Sequence, residues 1–160
     1  MLDARDLVVE VAAVGSGQTA IRVDAQVSWQ PPRPALERVP SAARVVTITQ
    51  LPSLGPHARR PPAPVTITGL AVVQRLAALV DSLQLSTIGP GAPCPLPAGG
   101  GIRLTFQARA GGPPLAVAQG PAACGTVQLS ASGKQQPALQ ITDSFITQVL
   151  MLAGLHWKVP

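Results

Sequence analysis

In the run TAIRVDAQVSW, Ile21, Val23, Ala25, Val27 and Trp29 take one side of a two-residue period, and Arg22, Asp24, Gln26 and Ser28 take the other. Such alternation predicts a half-buried antiparallel strand. LVVEVAAV, Leu7 to Val14, predicts a strand before it, and Gly15 to Gly17 the turn between them. RVVTITQL, Arg44 to Leu51, is rich in β-branched residues and predicts another strand. VTIT, Val65 to Thr68, predicts a short one. GIRLTFQARA alternates again, with Ile102, Leu104, Phe106 and Ala108 expected inward and Arg103, Thr105, Gln107 and Arg109 outward. GGPP then turns the chain, LAVAQG returns as its hairpin partner, and GTVQLSA follows as a further strand before the turn SGKQQP.

Two stretches change period. In GLAVVQRLAALVDSL, Val72, Val73, Leu76, Leu79, Val80 and Leu83 recur at helical spacing, with Thr68 as the expected N-cap. SFITQVLMLAGL repeats the pattern through Phe145, Ile146, Val149 and Leu150, with Asp143 or Thr142 as cap and Gly154 as stop. Between the strands, QPPRPALERVP has room for one helical turn at PALER, and PSLGPHARRPPAP is too proline-rich for regular structure. Strands joined mostly by hairpins, with helices midway and at the end, predict an α+β domain. The expected form is an antiparallel sheet of about five or six strands with both amphipathic helices packed on one face. The whole of 1–160 reads as one domain, comprising an N-terminal hairpin 7–29, a central part 44–125 and a C-terminal helix 143–154.

Composition restricts what such a domain does. The chain is 46% hydrophobic but 2% aromatic and 12% charged, with 18 Pro, 15 Gly and no Tyr. Its core volume must therefore come from Val, Leu, Ile and Ala, and so much aliphatic surface argues against disorder. The net charge of +5 is spread singly along the chain, except at His57, Arg59 and Arg60, a candidate basic loop. Nucleic-acid binding needs a basic face with stacking aromatics, which this chain lacks. No stretch reaches the ~18 apolar residues of a transmembrane span. The N-terminus carries acids where a signal peptide wants basic residues, so the chain is expected to be either cytoplasmic or separated from its export signal.

The two cysteines, Cys94 and Cys124, permit one intramolecular disulfide. They flank the hairpin that begins at Ile102, and a simple meander brings such positions together. A bridge closing a loop of about thirty residues stabilises by ~3–4 kcal/mol in the chain-entropy model. The alternative is two reduced, buried thiols in a cytoplasmic protein. Both cysteines lie in Pro/Gly/Ala-rich loops rather than apolar runs, which favours the bridge and an extracytoplasmic location.

Catalytic constellations are missing from the pattern. Two Cys and two His without CxxC or HxxxH spacing make no closed metal site, and no metal or cofactor is expected. Cys94 or Cys124 with His57 or His156 lacks an orienting third group. Asp3, Asp6 and Glu10 read as solvated, and no nucleophile elbow, P-loop or dinucleotide fingerprint occurs. His156 and Trp157 are expected to form a terminal docking contact. The expectation is a protein that is not an enzyme.

The segments VVTITQLPSLGPH, GLAVVQRLAALVDSL, CPL, IRLTFQARAGG and AACG, in this order, resemble the subtilisin inhibitor-like proteins secreted by actinobacteria. The resemblance covers roughly Arg44 to Gly125. It extends to a broader class of exported actinobacterial domains with the order helix, cysteine, hairpin, cysteine, final helix. It implies a protease-binding loop at Pro95, Leu96 and Pro97, with Leu96 as the hydrophobic anchor held by the Cys94–Cys124 bridge. The chain departs from the family at Pro97, which lacks an N–H just after the implied scissile bond. It departs also at Gly99 to Gly101, which make the loop permissive, and at Gln50 and the start of the Leu70 helix, where a second disulfide is expected. It therefore reads as a relative in fold more than in activity. The functional expectation is a non-enzymatic extracytoplasmic domain that binds a protein or cell-envelope partner, with a homodimer through an exposed sheet face as a further expectation. The alternatives are a serine-protease inhibitor acting through Cys94, Pro95 and Leu96, and an enzyme of unrecognised type.

Overall fold

A computed structural model of the chain describes residues 2–29, 33–52, 60–87, 100–122 and 125–157. They divide into two compact units, 1–33 and 34–160.

The first unit is a β-ribbon. β1 (Leu2–Gly15) and β2 (Gln18–Trp29) pair antiparallel along almost their whole length, in a two-stranded sheet of their own. The turn at Ser16 and Gly17 is flanked by Gly15 and includes Gly17 at φ +82°, a conformation that costs a glycine little. Alternation sets the register: Leu7 stands opposite Ala25, Val9 opposite Val23, and Val11 opposite Ile21. The expected half-burial is not found among the described side chains of this strand pair, where Leu7, Val9, Val11, Ile21 and Val23 are exposed; Val27 and Trp29 lie outside the described side chains.

The second unit begins with a single 3-10 turn at Ala35–Glu37, the length PALER allows. Its sheet comprises β3 (Val45–Gln50), β4 (Val65–Ile67), β5 (Ile102–Gln107), β6 (Pro114–Ala122), β7 (Thr126–Ala131), β8 (Lys134–Gln135) and β9 (Leu139–Gln140). The order is β4-β3-β5-β6-β7-β8, with β9 on the same side of β7, and every pairing is antiparallel. Two two-residue strands account for much of the difference from the expected count. Within the stretch read as a turn, Ser132 at φ 51° and Gly133 at φ 74° form a tight primed turn that starts β8.

Register lines up the inner face. Val46, Phe106, Ala116 and Ala131 lie abreast, and Ile48, Leu104, Ala118 and Leu129 form the next row. Both helices, α1 (Leu70–Asp81) and α2 (Phe145–Ala153), pack on that face through Val73, Leu76, Val80, Phe145 and Val149. The α+β class and the two helices on one face are thus observed. Both phenylalanines of the chain are fully buried, which is how a sequence so poor in aromatics fills its centre. The alanines of β6 and β7 leave room for the helices to approach.

Local details differ from expectation. The N-cap of α1 is Gly69, not Thr68, and the Gly69 carbonyl accepts from the Val72 and Val73 amides. The N-cap of α2 is Ser144, not Asp143 or Thr142, and neither helix has a side-chain cap bond. Gly154 ends α2 in the left-handed region as expected, and the Leu155 amide donates to the Leu150 carbonyl at 2.9 Å. Ala108 is exposed because β5 stops at Gln107 and the chain bends. Gln107 is buried; its side-chain amide donates to the Gly112 carbonyl and ties down the following turn.

Candidate functional site

Three surfaces come from this architecture. The first is the ribbon. Because cross-strand partners share a face, Leu7, Val9, Val11, Ile21, Val23 and Ala25 form one continuous apolar side. The five larger side chains among them are between 53% and 68% exposed. The opposite side carries the charges: Glu10 stands across from Arg22, and the Arg22 Nε lies 2.8 Å from the Asp24 carboxylate. The ribbon is amphipathic, and its apolar side meets solvent.

The second surface is the sheet face turned away from the helices. Thr47, Thr66, Thr105, Val117 and Ser130 make one row, and Thr49, Arg103, Gln119 and Gln128 the next. Its only cation in these rows is held in place, with Arg103 Nε and Nη2 donating to Gln119 Oε1 at 2.9 and 2.8 Å. Thr47 and Thr66 share a hydrogen bond of 3.2 Å, and Gln135 Nε2 donates to Gln128 Oε1 at 2.9 Å. Side chains that hydrogen-bond one another across strands keep this open face wet, as an uncovered antiparallel sheet requires.

The third is the root of the β5–β6 hairpin. Ile102 pairs with Gly120, so the chain entering β5 runs beside the chain leaving β6. Gly100 and Gly101 are buried, and the Gly101 carbonyl accepts from the Leu51 amide at 2.7 Å. A Cβ at Gly101 would collide with the Gly120 carbonyl oxygen, and one at Gly120 would lie 2.8 Å from a Val127 methyl. These two glycines are there so that backbones can touch. Gly100 and Gly101 are buried where the chain enters β5.

Shallow cavities add little chemistry. One of ≈ 440 Å³, beside the 3-10 turn, has Arg38, Ser41 and Asp81 in its polar lining. A second of ≈ 270 Å³ shares Asp81, whose Oδ1 accepts from the Val39 amide at 2.9 Å. A third of ≈ 360 Å³ is lined by hydroxyls and amides, including Ser82, Gln140, Thr142 and Gln148. Among the described residues no three of His, Cys, Asp and Glu come together as a metal site would require. No helix among them is long and apolar enough to cross a membrane.

Of the residues singled out in the sequence, Cys94, Pro95, Leu96, Pro97, Cys124, His57 and Arg59 lie outside the described residues. Arg60 is exposed in the extended segment that leads to β4. His156 is exposed, and Trp157 packs against the core. The exposed apolar side of the ribbon was not expected from the alternation, which predicted burial. No protein-family model, no curated protein and no solved structure matches the chain.

Proposed function

We propose that the chain is a non-enzymatic binding domain that works outside the cytoplasm and meets a protein or cell-envelope partner through the apolar side of its N-terminal ribbon. The observation that carries this reading is the exposure of Leu7, Val9, Val11, Ile21 and Val23 as one uninterrupted surface. Patches of that kind on soluble proteins mark interaction sites, because scattered apolar residues are ordinary and contiguous ones are not. The location rests on the cysteine pair.

Photo-cross-linking tests the role of the ribbon. A benzophenone side chain in place of Ala25, on the apolar side, is compared with the same group in place of Ala12, on the opposite side. Carried out in the envelope and secreted fractions of the source cells, the experiment should give adducts from position 25 at several times the yield from position 12. Equal yields would sink the assignment. The compartment is checked by thiol titration of unreduced, denatured chain, where no titratable thiol is expected and two would place the protein in a reducing environment.

A second reading has one observation behind it. The anchoring of Gly101 by Leu51 and Gly120 fixes the root of the segment that contains Pro95, Leu96 and Pro97. Protease inhibition gains from such fixing, since a loop held in bound shape loses little entropy on docking. Titration of subtilisin and chymotrypsin with the intact chain decides it. Undiminished protease activity at molar excess rules inhibition out.

A further inference from the structure

We propose that the occupant of the ribbon's apolar side is a second copy of this chain, the two ribbons packing face to face about a twofold axis. The inference rests on the binding role given above to that side and names its partner.

Stability supplies the first argument. A two-stranded ribbon alone in water is marginal, because it has no second layer to bury its apolar face against. Here β1 and β2 run for 14 and 12 residues with that face open. A second ribbon supplies the missing layer and makes a four-stranded sandwich, in which two sheets stand ~10 Å apart with their inner side chains interleaved.

Area and chemistry supply the next two. The exposed apolar side chains of one ribbon present on the order of 500 Å², within the size range of functional patches on monomers. Two such faces together hide roughly 1,000 Å², the floor for a specific interface. Between Leu7 and Ala25 this side carries no charge, so like faces meet without repulsion. With the axis through the Val9–Val23 pair, an antiparallel partner sets the Leu7–Ala25 pair over Val11 and Ile21 of the other copy, which is the self-complementary pattern of an isologous contact. Glu10, Arg22 and Asp24 stay on the outer side, in water. A lipid surface fits less well: interfacial membrane elements are rich in Lys and Arg on the polar side, and among its described side chains this ribbon's outer side carries two acids, Glu10 and Asp24, to one arginine, Arg22.

Sedimentation equilibrium of the full chain tests the proposal. The native protein should show a reversible species at twice the 16.4 kDa chain mass. V9T/V23T keeps β-branched side chains and strand propensity while placing hydroxyls in the contact, and should raise the dimer dissociation constant by about tenfold or more. V8T, on the outer side, should change it by less than about twofold. Circular dichroism of both variants confirms that the strands persist. A native chain that stays monomeric to ~100 μM overturns the dimer, as does a dimer indifferent to V9T/V23T. Flotation of the monomer with phosphatidylglycerol vesicles overturns it in favour of a lipid surface. A monomer that still gives adducts from position 25 removes this inference and leaves the binding role intact, whereas equal adducts from both positions remove the role itself.

Discussion

Gly101 and Gly120 show what a single atom decides in this protein. In the sequence, Gly101 is the last of three glycines after a proline-rich stretch and reads as slack. In the fold it is buried, because its backbone lies against the Gly120 carbonyl where a Cβ has no space. Gly101→Ala is therefore expected to destabilise the 34–160 unit by about 2 kcal/mol, the range for forcing a methyl into a packed site. Urea unfolding measures it, and a change within ~0.5 kcal/mol, normal for surface sites, would contradict the contact. Asp81 makes the same point with a charge. A carboxylate in the last turn of α1 opposes the helix dipole, yet here it accepts from the Val39 amide and ties the segment before β3 to the helix. Nothing in the residues around Asp81 announces a partner 42 positions away.

At the scale of elements, the pattern in the chain was largely legible. Period two located β2 and β5, β-branched content located β3, and the apolar stripe of α1 has Val73, Leu76, Val80 and Leu83 buried. Helix starts were not legible, although the stop of α2 at Gly154 was. Thr68 and Asp143 have the right chemistry for caps, but the backbone turns into the helices at Gly69 and Ser144 instead. Where a chain leaves a strand and starts a helix is set by the path between packed elements, which propensity does not contain. The vacancy at the α1 cap yields a prediction. Gly69 has φ −66° and open space around it, so Gly69→Asp should stabilise by about 0.5 kcal/mol through capping and the helix dipole. A thermal melt that falls instead of rising would show that the cap geometry is wrong.

The whole molecule is a ribbon and a packed α+β body, each with its own logic. Every member of the buried core cluster lies between Val39 and Val149, within the second unit. The chain 34–160 should therefore fold without the ribbon and unfold cooperatively, with a midpoint within a few degrees of the full chain, roughly the shift of a change below 1 kcal/mol in a domain of this size. A truncated chain that lacks a cooperative melt would contradict the division. The proline-rich stretch QPPRP that follows β2 is the sequence feature that marks the boundary. Alternation by itself favoured reading the ribbon as part of one sheet.

What the sequence determined alone is the longer strands and both helices, their apolar sides and the class of fold, because period and turn chemistry are local properties, whereas the two-residue strands β8 and β9 were not read from it. Its composition likewise dictated that the core be aliphatic, with the two phenylalanines reserved for its centre. Only the tertiary structure decided which apolar sides are covered. The stripes of α1 and α2 close onto β3, β5, β6 and β7, while the equally regular side of β1 and β2 is left in solvent. Alternation states that a strand has an apolar side, and burial depends on whether another layer is there to receive it. The same residues that read as core in one dimension are, in three, an exposed apolar surface.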